Sequence, residues 1–340
     1  MLTPDCFLSF THAYLAVLRT ILEGPHVVTA GRGKDAWETR NVSFCLTNPL
    51  DRTPYLAARR ANPVFNFGEF LWYVAGRDDL DMISYYAPRL RKLSADGATL
   101  TGTAYGPRLF GRDSADRRSQ FERVLNLVVN ERDSKRAAMI VMRPGELENQ
   151  ANPDVACTLG LQLMLRGGHL HMTAYMRGND AKIGLLCDVH SFTMILEFAA
   201  RLLGVPVGTY THHVGSMHIN TLDLDQVRAI LAEADTGIGG GPFPVEPMPA
   251  DTTWETITTV LAVEDALRSN REALTPQQAA ALPLAGYWQR LLLLLEAYRQ
   301  IVHTGQPVTP DILDTLHPGH RWLLAVRWPD RVPAVAQLPR

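Results

Sequence analysis

The order of apolar runs between residues 158 and 204 constrains this chain most. Thr158–Leu165 and His169–Met176 read as strands, and Gly167-Gly168 between them is a hairpin signal. Asp188–Leu203 follows, a strongly apolar helix pattern that stops at Gly204. A hairpin leading into a buried helix predicts a mixed α/β fold, with helices covering a mixed sheet.

The flanking segments extend this frame. Pro4–Leu22 is apolar at Phe7, Leu8, Phe10, Leu15, Leu18 and Leu22, which predicts a helix stopped by Gly24-Pro25. Val27–Ala30 and Val42–Leu46 read as strands around the loop Gly31-Arg32-Gly33-Lys34. Asn62-Pro63 opens a helix through Val74 that ends at Gly76. Arg117–Val129 and Leu222–Ala234 read as helices, and Ala137–Met142 as a strand. The clearest break is Gly237–Pro242, followed by helical patterns at Trp254–Leu267 and Tyr287–Val302. Residues 1–235 are therefore expected to form the α/β core and 236–340 a helical extension packed on it.

Composition narrows the function classes. A chain of 340 residues, 46% hydrophobic and 20% charged, has enough apolar surface for a sizeable core and little scope for disorder. With 33 basic and 35 acidic residues it lacks the excess of a general nucleic-acid binder, which leaves room for a local basic pocket that holds a small anion. No apolar run reaches the roughly 18 residues of a membrane span. Met1-Leu2-Thr3-Pro4-Asp5 lacks the basic start of a secretory leader. Cys6, Cys45, Cys157 and Cys187 are far apart with no C-x-x-C, so neither a metal site nor a redox pair is expected, and free thiols fit a reducing cytoplasm. Arginine far outnumbers the four lysines, a bias that accompanies GC-rich bacterial genomes.

Cys157, in Pro153-Asp154-Val155-Ala156-Cys157-Thr158, opens a predicted strand. A cysteine there is either a small core residue or, beside cations, a nucleophile. Its context includes Gly68-Glu69-Phe70-Leu71-Trp72-Tyr73, Ser134-Lys135-Arg136, Met176-Arg177-Gly178-Asn179-Asp180, Ile183-Gly184-Leu185-Leu186-Cys187-Asp188 and Gly215-Ser216-Met217-His218-Ile219-Asn220. In order and spacing these runs resemble the motifs of the thymidylate synthase family, over about residues 4–235. Nothing beyond about residue 240 shares the resemblance.

The resemblance implies a thymidylate synthase-like fold, an obligate homodimer, and one-carbon transfer from 5,10-methylenetetrahydrofolate to C5 of a pyrimidine nucleotide. It implies Cys157 as the nucleophile that adds to C6. Glu69 would organise water and protons, and Tyr105 would lie near the base where the C5 proton leaves. It implies Arg32, Arg177 and, from the other subunit, Lys135 and Arg136 as phosphate ligands. His218 and Asn220 would be sugar residues, and Asp180 and Gly184 folate contacts.

Departures from the family pattern carry the finer expectation. Asp188 stands where the synthases have Asn. Asn offers one donor and one acceptor, matching uracil N3–H and O4. An ionised Asp accepts twice, which fits the cytosine N4 amino group and a protonated N3. Thr158 replaces the usual His after the nucleophile. Lys135 replaces an Arg and loses the bidentate fork, and Gly178 replaces a phosphate-binding Ser. Asn220 replaces Tyr and Ser216 replaces Asp, which leaves room for a 2′-hydroxyl. The set resembles the CMP 5-hydroxymethylases of nucleoside-antibiotic pathways of the mildiomycin type. It implies conversion of CMP, methylenetetrahydrofolate and water into 5-hydroxymethyl-CMP. The alternatives are a dCMP hydroxymethylase and a divergent thymidylate synthase. From other classes, a nucleotide-binding regulator is disfavoured by the joint presence of Cys157, Glu69 and Tyr105, and a cysteine hydrolase would need His171, His190 or His218 aimed at Cys157. The tail from Pro333 lacks the synthase closing sequence. A loosely sealed site admits the water that hydroxymethylation needs.

Overall fold

The computed structural model describes residues 3–24, 26–31, 33–112, 117–237 and 243–334. Within them, strands β1 (Asp5–Phe7), β2 (Val27–Gly31), β3 (Lys34–Leu46), β4 (Ala138–Ile140), β5 (Thr158–Arg166), β6 (His169–Asp180) and β7 (Val207–Asn220) form one sheet. Its order is β1-β3-β7-β6-β5-β4, with β2 hairpinned on β3. The pairs β1–β3 and β6–β7 are parallel and the others antiparallel, so the sheet is mixed.

Helices α1 (Phe10–Glu23), α2 (Pro63–Val74), α3 (Leu80–Tyr86), α4 (Gly106–Leu109), α5 (Gln120–Asn130), α6 (Gly184–Leu203) and α7 (Leu224–Thr236) accompany the sheet. Then come α8 (Trp254–Arg268), α9 (Pro276–Ala280), α10 (Gly286–His303), α11 (Pro310–Thr315) and α12 (Pro318–Arg327). Helix α6 packs on β6, β7 and α2. Every residue of α2 is buried, Glu69 included. Asn62 caps α2 by accepting a hydrogen bond from the Phe65 amide at 3.1 Å, and Pro63 takes the first helical position, where no amide is needed.

The C-terminal helices share the core's apolar cluster. Trp288, Leu292 and Leu294 are fully buried in the same cluster as α2 and α6. Polar ties cross the same boundary. Tyr86 donates to Glu264 at 2.7 Å, and Tyr298 donates to the Tyr85 carbonyl at 2.8 Å. Glu197 of α6 pairs with Arg52 at 2.5 Å and accepts from the Met248 amide at 2.7 Å. No helix among the described residues is long and apolar enough to cross a membrane.

The reading lacked the short helices α3, α4, α9, α11 and α12, and four further differences bear on the sheet and the site. The first predicted helix is split: β1 pairs with β3 before α1 starts at Phe10. Strand β3 begins at Lys34 rather than Val42, because its first half is a largely exposed hairpin with no apolar alternation. Strand β7 was absent from the reading, yet it lies between β3 and β6 at the centre of the sheet. Its inward positions include His212, which interrupts the apolar alternation between Tyr210 and Val214. Helix α6 begins at Gly184, so Asp188 lies inside the helix and does not cap it.

Candidate active site

The register of three strands builds one wall. Gly178 lies opposite Ser216 and Asp180 opposite His218, while His218 lies opposite Glu38 on β3. The ends of β6 and β7 therefore bring Arg177, Asp180, His218 and Asn220 to one corner of the sheet. Cys157 immediately precedes β5, and its carbonyl accepts from the Arg177 amide at 2.9 Å.

Cys157 is half-buried, and Arg177 Nη2 donates to its Sγ at 3.6 Å. The guanidinium is held there by the carbonyls of Ala156 and Val155, at 2.8 and 2.9 Å. A fixed cation beside sulfur favours the thiolate over the thiol. The loop around Cys157 is fastened twice. Asp154 accepts from the Gly102 and Thr103 amides at 2.8 and 2.9 Å, and Glu146 accepts from the Ala156 amide at 2.8 Å while pairing with buried Arg108 at 2.7 Å. Gly102 is required at this junction, since a Cβ there would lie 2.3 Å from the Asp154 carbonyl oxygen.

Glu69, Tyr105 and Asp188 converge on the same spot from α2, the loop before α4, and α6. Ser191 donates to Glu69 at 2.8 Å, and burial pushes the Glu69 carboxyl up to about 7. Tyr105 stacks on Tyr73 with ring centroids 5.2 Å apart and is hydrogen-bonded to Thr158. Burial, then the charges of Asp188, Cys157 and Glu69, keep its hydroxyl protonated. Burial and the neighbouring Glu69 push the Asp188 carboxyl well above the usual carboxylate range, against a hydrogen bond from Asn179. Burial and the second carboxylate thus both oppose the charge that the sequence reading places on Asp188.

The remaining residues of the sequence reading fall into three groups. Asp180 takes the Lys182 and Ile183 amides on one oxygen, at 2.8 and 2.9 Å, and Asn220 Nδ2 on the other at 2.8 Å. Its carboxylate is thus engaged by this chain's own groups. Gly184 opens α6 where a Cβ would lie 2.6 Å from Asn179 Oδ1. His218 is half-buried beside them. Lys135 and Arg136 are exposed in the loop before β4, where Gln162 of β5, five residues along the strand from Cys157, donates to the Lys135 carbonyl at 2.9 Å, and Arg136 pairs with Glu131. Arg32 and the tail from residue 335 lie outside the described residues. A Cβ at Gly178 would meet only Ser216, at 3.6 Å, so the position has room for a side chain. Asn179, Ser191 and Asp154 were not singled out from sequence. Ser191 had a signal, since it follows Asp188 by three residues and shares its helix face.

Behind the first turn of α6 lies a cavity of about 410 Å³. Arg59, Arg60, Arg89, Lys182, Arg327 and Trp328 line it, and none of its described lining residues is acidic. Lys182 pairs with Asp223, while the Nε atoms of Arg59 and Arg327 are buried with no hydrogen-bond partner among the described residues. Arg89 acts on the Glu69 carboxyl, so the cavity adjoins the candidate site. No group of three or more metal-ligating side chains occurs among the described residues.

Comparisons with known proteins address the family and the fold. The deoxyuridylate hydroxymethyltransferase of Bacillus phage SP01 is 31% identical over 242 residues, which cover 66% of this chain and 63% of that protein. A thymidylate synthase of Symbiobacterium thermophilum is 28% identical over 172 residues, 47% of this chain and 60% of that one. The chain thus spans about three-fifths of the length of these relatives. Thermostable thymidylate synthase A from Bacillus subtilis superposes with a TM-score of 0.54 at 20% identity, over 66% of this chain and 84% of that one, and shares the fold. The family profile described as Thymidylate synthase matches residues 12–238, which takes in every element of the sheet except β1, and on this match the chain belongs to the thymidylate synthase family.

Proposed function

We propose that this protein is a CMP 5-hydroxymethylase that uses 5,10-methylenetetrahydrofolate and water. The observation that carries the reading is Asp188, a carboxyl whose burial and whose neighbour Glu69 favour its protonated form. A protonated carboxyl offers one donor and one acceptor. Cytosine presents N3 as acceptor and N4 as donor, so the two edges match without any change in charge. When C6 is attacked and N3 becomes basic, the same proton passes to N3 and leaves an ionised Asp188 opposite two donors. The site thus follows the charge that develops during reaction.

Cys157 Sγ adds to C6 with Arg177 beside it, and C5 becomes nucleophilic. The folate supplies the one-carbon unit to C5. Loss of the C5 proton on the Tyr105 side, with departure of tetrahydrofolate, leaves a methylene on C5. Water organised by Glu69 adds its hydroxyl there, and expulsion of Cys157 restores the ring. The sum is CMP, methylenetetrahydrofolate and water giving 5-hydroxymethyl-CMP and tetrahydrofolate. A carboxyl titrating near 7 suits Glu69 to pass protons both ways.

Asn220, short and drawn to Asp180, supports acceptance of the ribose 2′-hydroxyl. The basic cavity behind α6 suits the glutamate carboxylates of the folate, with Arg327 and Trp328 of the C-terminal helices in its wall. Lys135 and Arg136, exposed in their own chain, act on the phosphate in the other subunit of a homodimer. A second reading, hydroxymethylation of dUMP, has its own support. The similar phage protein carries that name, and a protonated Asp188 can also be turned to match uracil.

The test is tritium release from C5-labelled CMP, dCMP and dUMP, each with methylenetetrahydrofolate, with product masses recorded. Release from CMP with a hydroxymethyl product is expected. Release from dCMP alone would remove the sugar argument. Release from dUMP alone would overturn the base argument, with a hydroxymethyl product giving the second reading and a methyl product a divergent synthase.

A further inference from the structure

Three neighbouring strands share a break in pairing that turns a carboxylate of β3 toward the site. Along β7 the buried positions are Tyr210, His212 and Val214 before Gly215, and Met217 and Ile219 after it. The parity changes where the register is interrupted. Arg40 and Val42 of β3 pair with Ser216 and Val214, as do Gly178 and Met176 of β6, while Asn41, Gly215 and Arg177 between them stand outside the register. Asn41 has a left-handed φ of 57°, as a residue of a bulge can. Past this row the even positions of β7 turn away from the core, and Ser216 and His218 are half-buried. Paired residues share a face of the sheet, so half-buried Glu38, opposite His218, lies on the face of His218 and Asp180. Ser216 Oγ donates to Glu38 Oε2 at 2.6 Å. Glu38 Oε1 and the His218 ring have no hydrogen-bond partner among the described residues. Asp180, by contrast, is taken up by the Lys182 and Ile183 amides and by Asn220. Gly178, opposite Ser216, adds no side chain and leaves the floor between them open.

We propose that Glu38 selects a ribonucleotide: its Oε1 accepts the 2′-hydroxyl while His218 holds the 3′-hydroxyl, and Ser216 is the positioning residue that keeps the carboxylate turned to the sugar. A carboxylate only accepts, and a vicinal diol brings two hydroxyl donors to two neighbouring groups. A hydroxyl bonded to an ionised acceptor makes one of the stronger hydrogen bonds available to a neutral sugar. Deoxyribose brings one donor and leaves Oε1 without a partner. Sequence alone shows only the loss of an acid at position 216, where Ser replaces Asp. The structure adds a carboxylate from β3, bonded to that same Ser. The inference deepens the CMP reading above and rests on it for the place of the sugar beside His218. It adds an attractive contact to the room that Asn220 leaves.

The experiment is calorimetric binding of CMP, dCMP, UMP and dUMP to the wild type and to Glu38→Ala, Glu38→Gln and Ser216→Ala. In Glu38→Ala the ratio of the dCMP to the CMP dissociation constant should fall about tenfold, the effect of one lost charge-assisted hydrogen bond, with the loss borne by CMP. Glu38→Gln keeps the size and loses the charge, while Ser216→Ala keeps the carboxylate and frees its direction. Each should lower the ratio about threefold. A merely structural role would weaken both nucleotides alike. Thermal melting identifies any variant that has unfolded, and the nearly isosteric Glu38→Gln carries the test if Glu38→Ala is lost. An unchanged ratio in folded variants of a wild type that prefers CMP overturns the role of Glu38 and leaves the ribose reading in place. A wild type that binds dCMP as tightly as CMP overturns the ribose reading, and the role of Glu38 with it. Tighter binding of UMP than of CMP overturns the cytosine reading alone, and Glu38 stands if its variants still lower the ratio of dUMP to UMP.

Discussion

Two carboxyls govern the residue scale, and burial raises the proton affinity of both. Glu69 is raised from 4.5 to about 7 by burial. Between these values an unfolded Glu69 is ionised while the folded one keeps its proton, so folding stability falls as pH rises through this window. The loss attributable to Glu69 is about 3 kcal/mol. Glu69→Gln should remove that slope, so its unfolding free energy should decline less than that of the wild type between pH 4.5 and 8 in urea titrations. An equal decline in both proteins would show that Glu69 does not carry the shift. At Asp188 the prediction concerns choice. Asp188→Asn replaces a hydroxyl donor that shares its proton with one that cannot give it up, and should raise the uracil-to-cytosine ratio of kcat/KM at least about tenfold. Steady-state rates on both nucleotides check it.

At the scale of elements, helices α2 and α6 act as two rigid rods that carry Glu69 and Asp188 into one place. The approach of α2 to α3 depends on Gly68, where a Cβ would lie 2.6 Å from the Tyr86 ring. Gly68→Ala should therefore destabilise the protein by about 1–3 kcal/mol despite its better helix propensity, as measured by thermal melting, and should lower kcat by shifting Glu69. These rods were legible in the sequence because their apolar faces and their stops, Gly76 and Gly204, are unambiguous. The β5–β6 hairpin was legible for the same reason. Strand β7 was not, since its pattern is interrupted by the polar His212, which is satisfied by Asn179 of the neighbouring strand and by Tyr210 two residues before it. Site residues in short motifs could be placed from sequence. The protonation of Asp188 could not, because it depends on Glu69, which is 119 residues away in sequence and adjacent only after folding.

The whole molecule raises the question of which chain completes which site. Lys135 and Arg136 are exposed in their own chain. If they serve a partner, mixing inactive Cys157→Ala with inactive Arg136→Ala should restore activity, to about a quarter of wild type for random exchange between two-fold dimers. No recovery after verified exchange would show that each chain is self-sufficient. The C-terminal helices have a matching test. Arg327 faces a cavity without acids, so Arg327→Gln should raise KM for the folate by about tenfold and leave KM for the nucleotide unchanged. Equal changes in both constants would point to a general loss of fold instead.

The bond from Asn220 to Asp180 limits the mutational routes open to this site. Asp180 also holds the turn that starts α6, and α6 carries Asp188. A substitution at Asn220 therefore also releases one side of the turn that positions Asp188, so a change made there for sugar choice would reach the proposed base-reading residue as well. Lineages that exchange ribose for deoxyribose substrates are then expected to change positions 180 and 220 together, or to pass through intermediates that are poor at both sugars. A directed-evolution campaign on position 220 alone would meet the same barrier, and libraries that randomise the pair would bypass it.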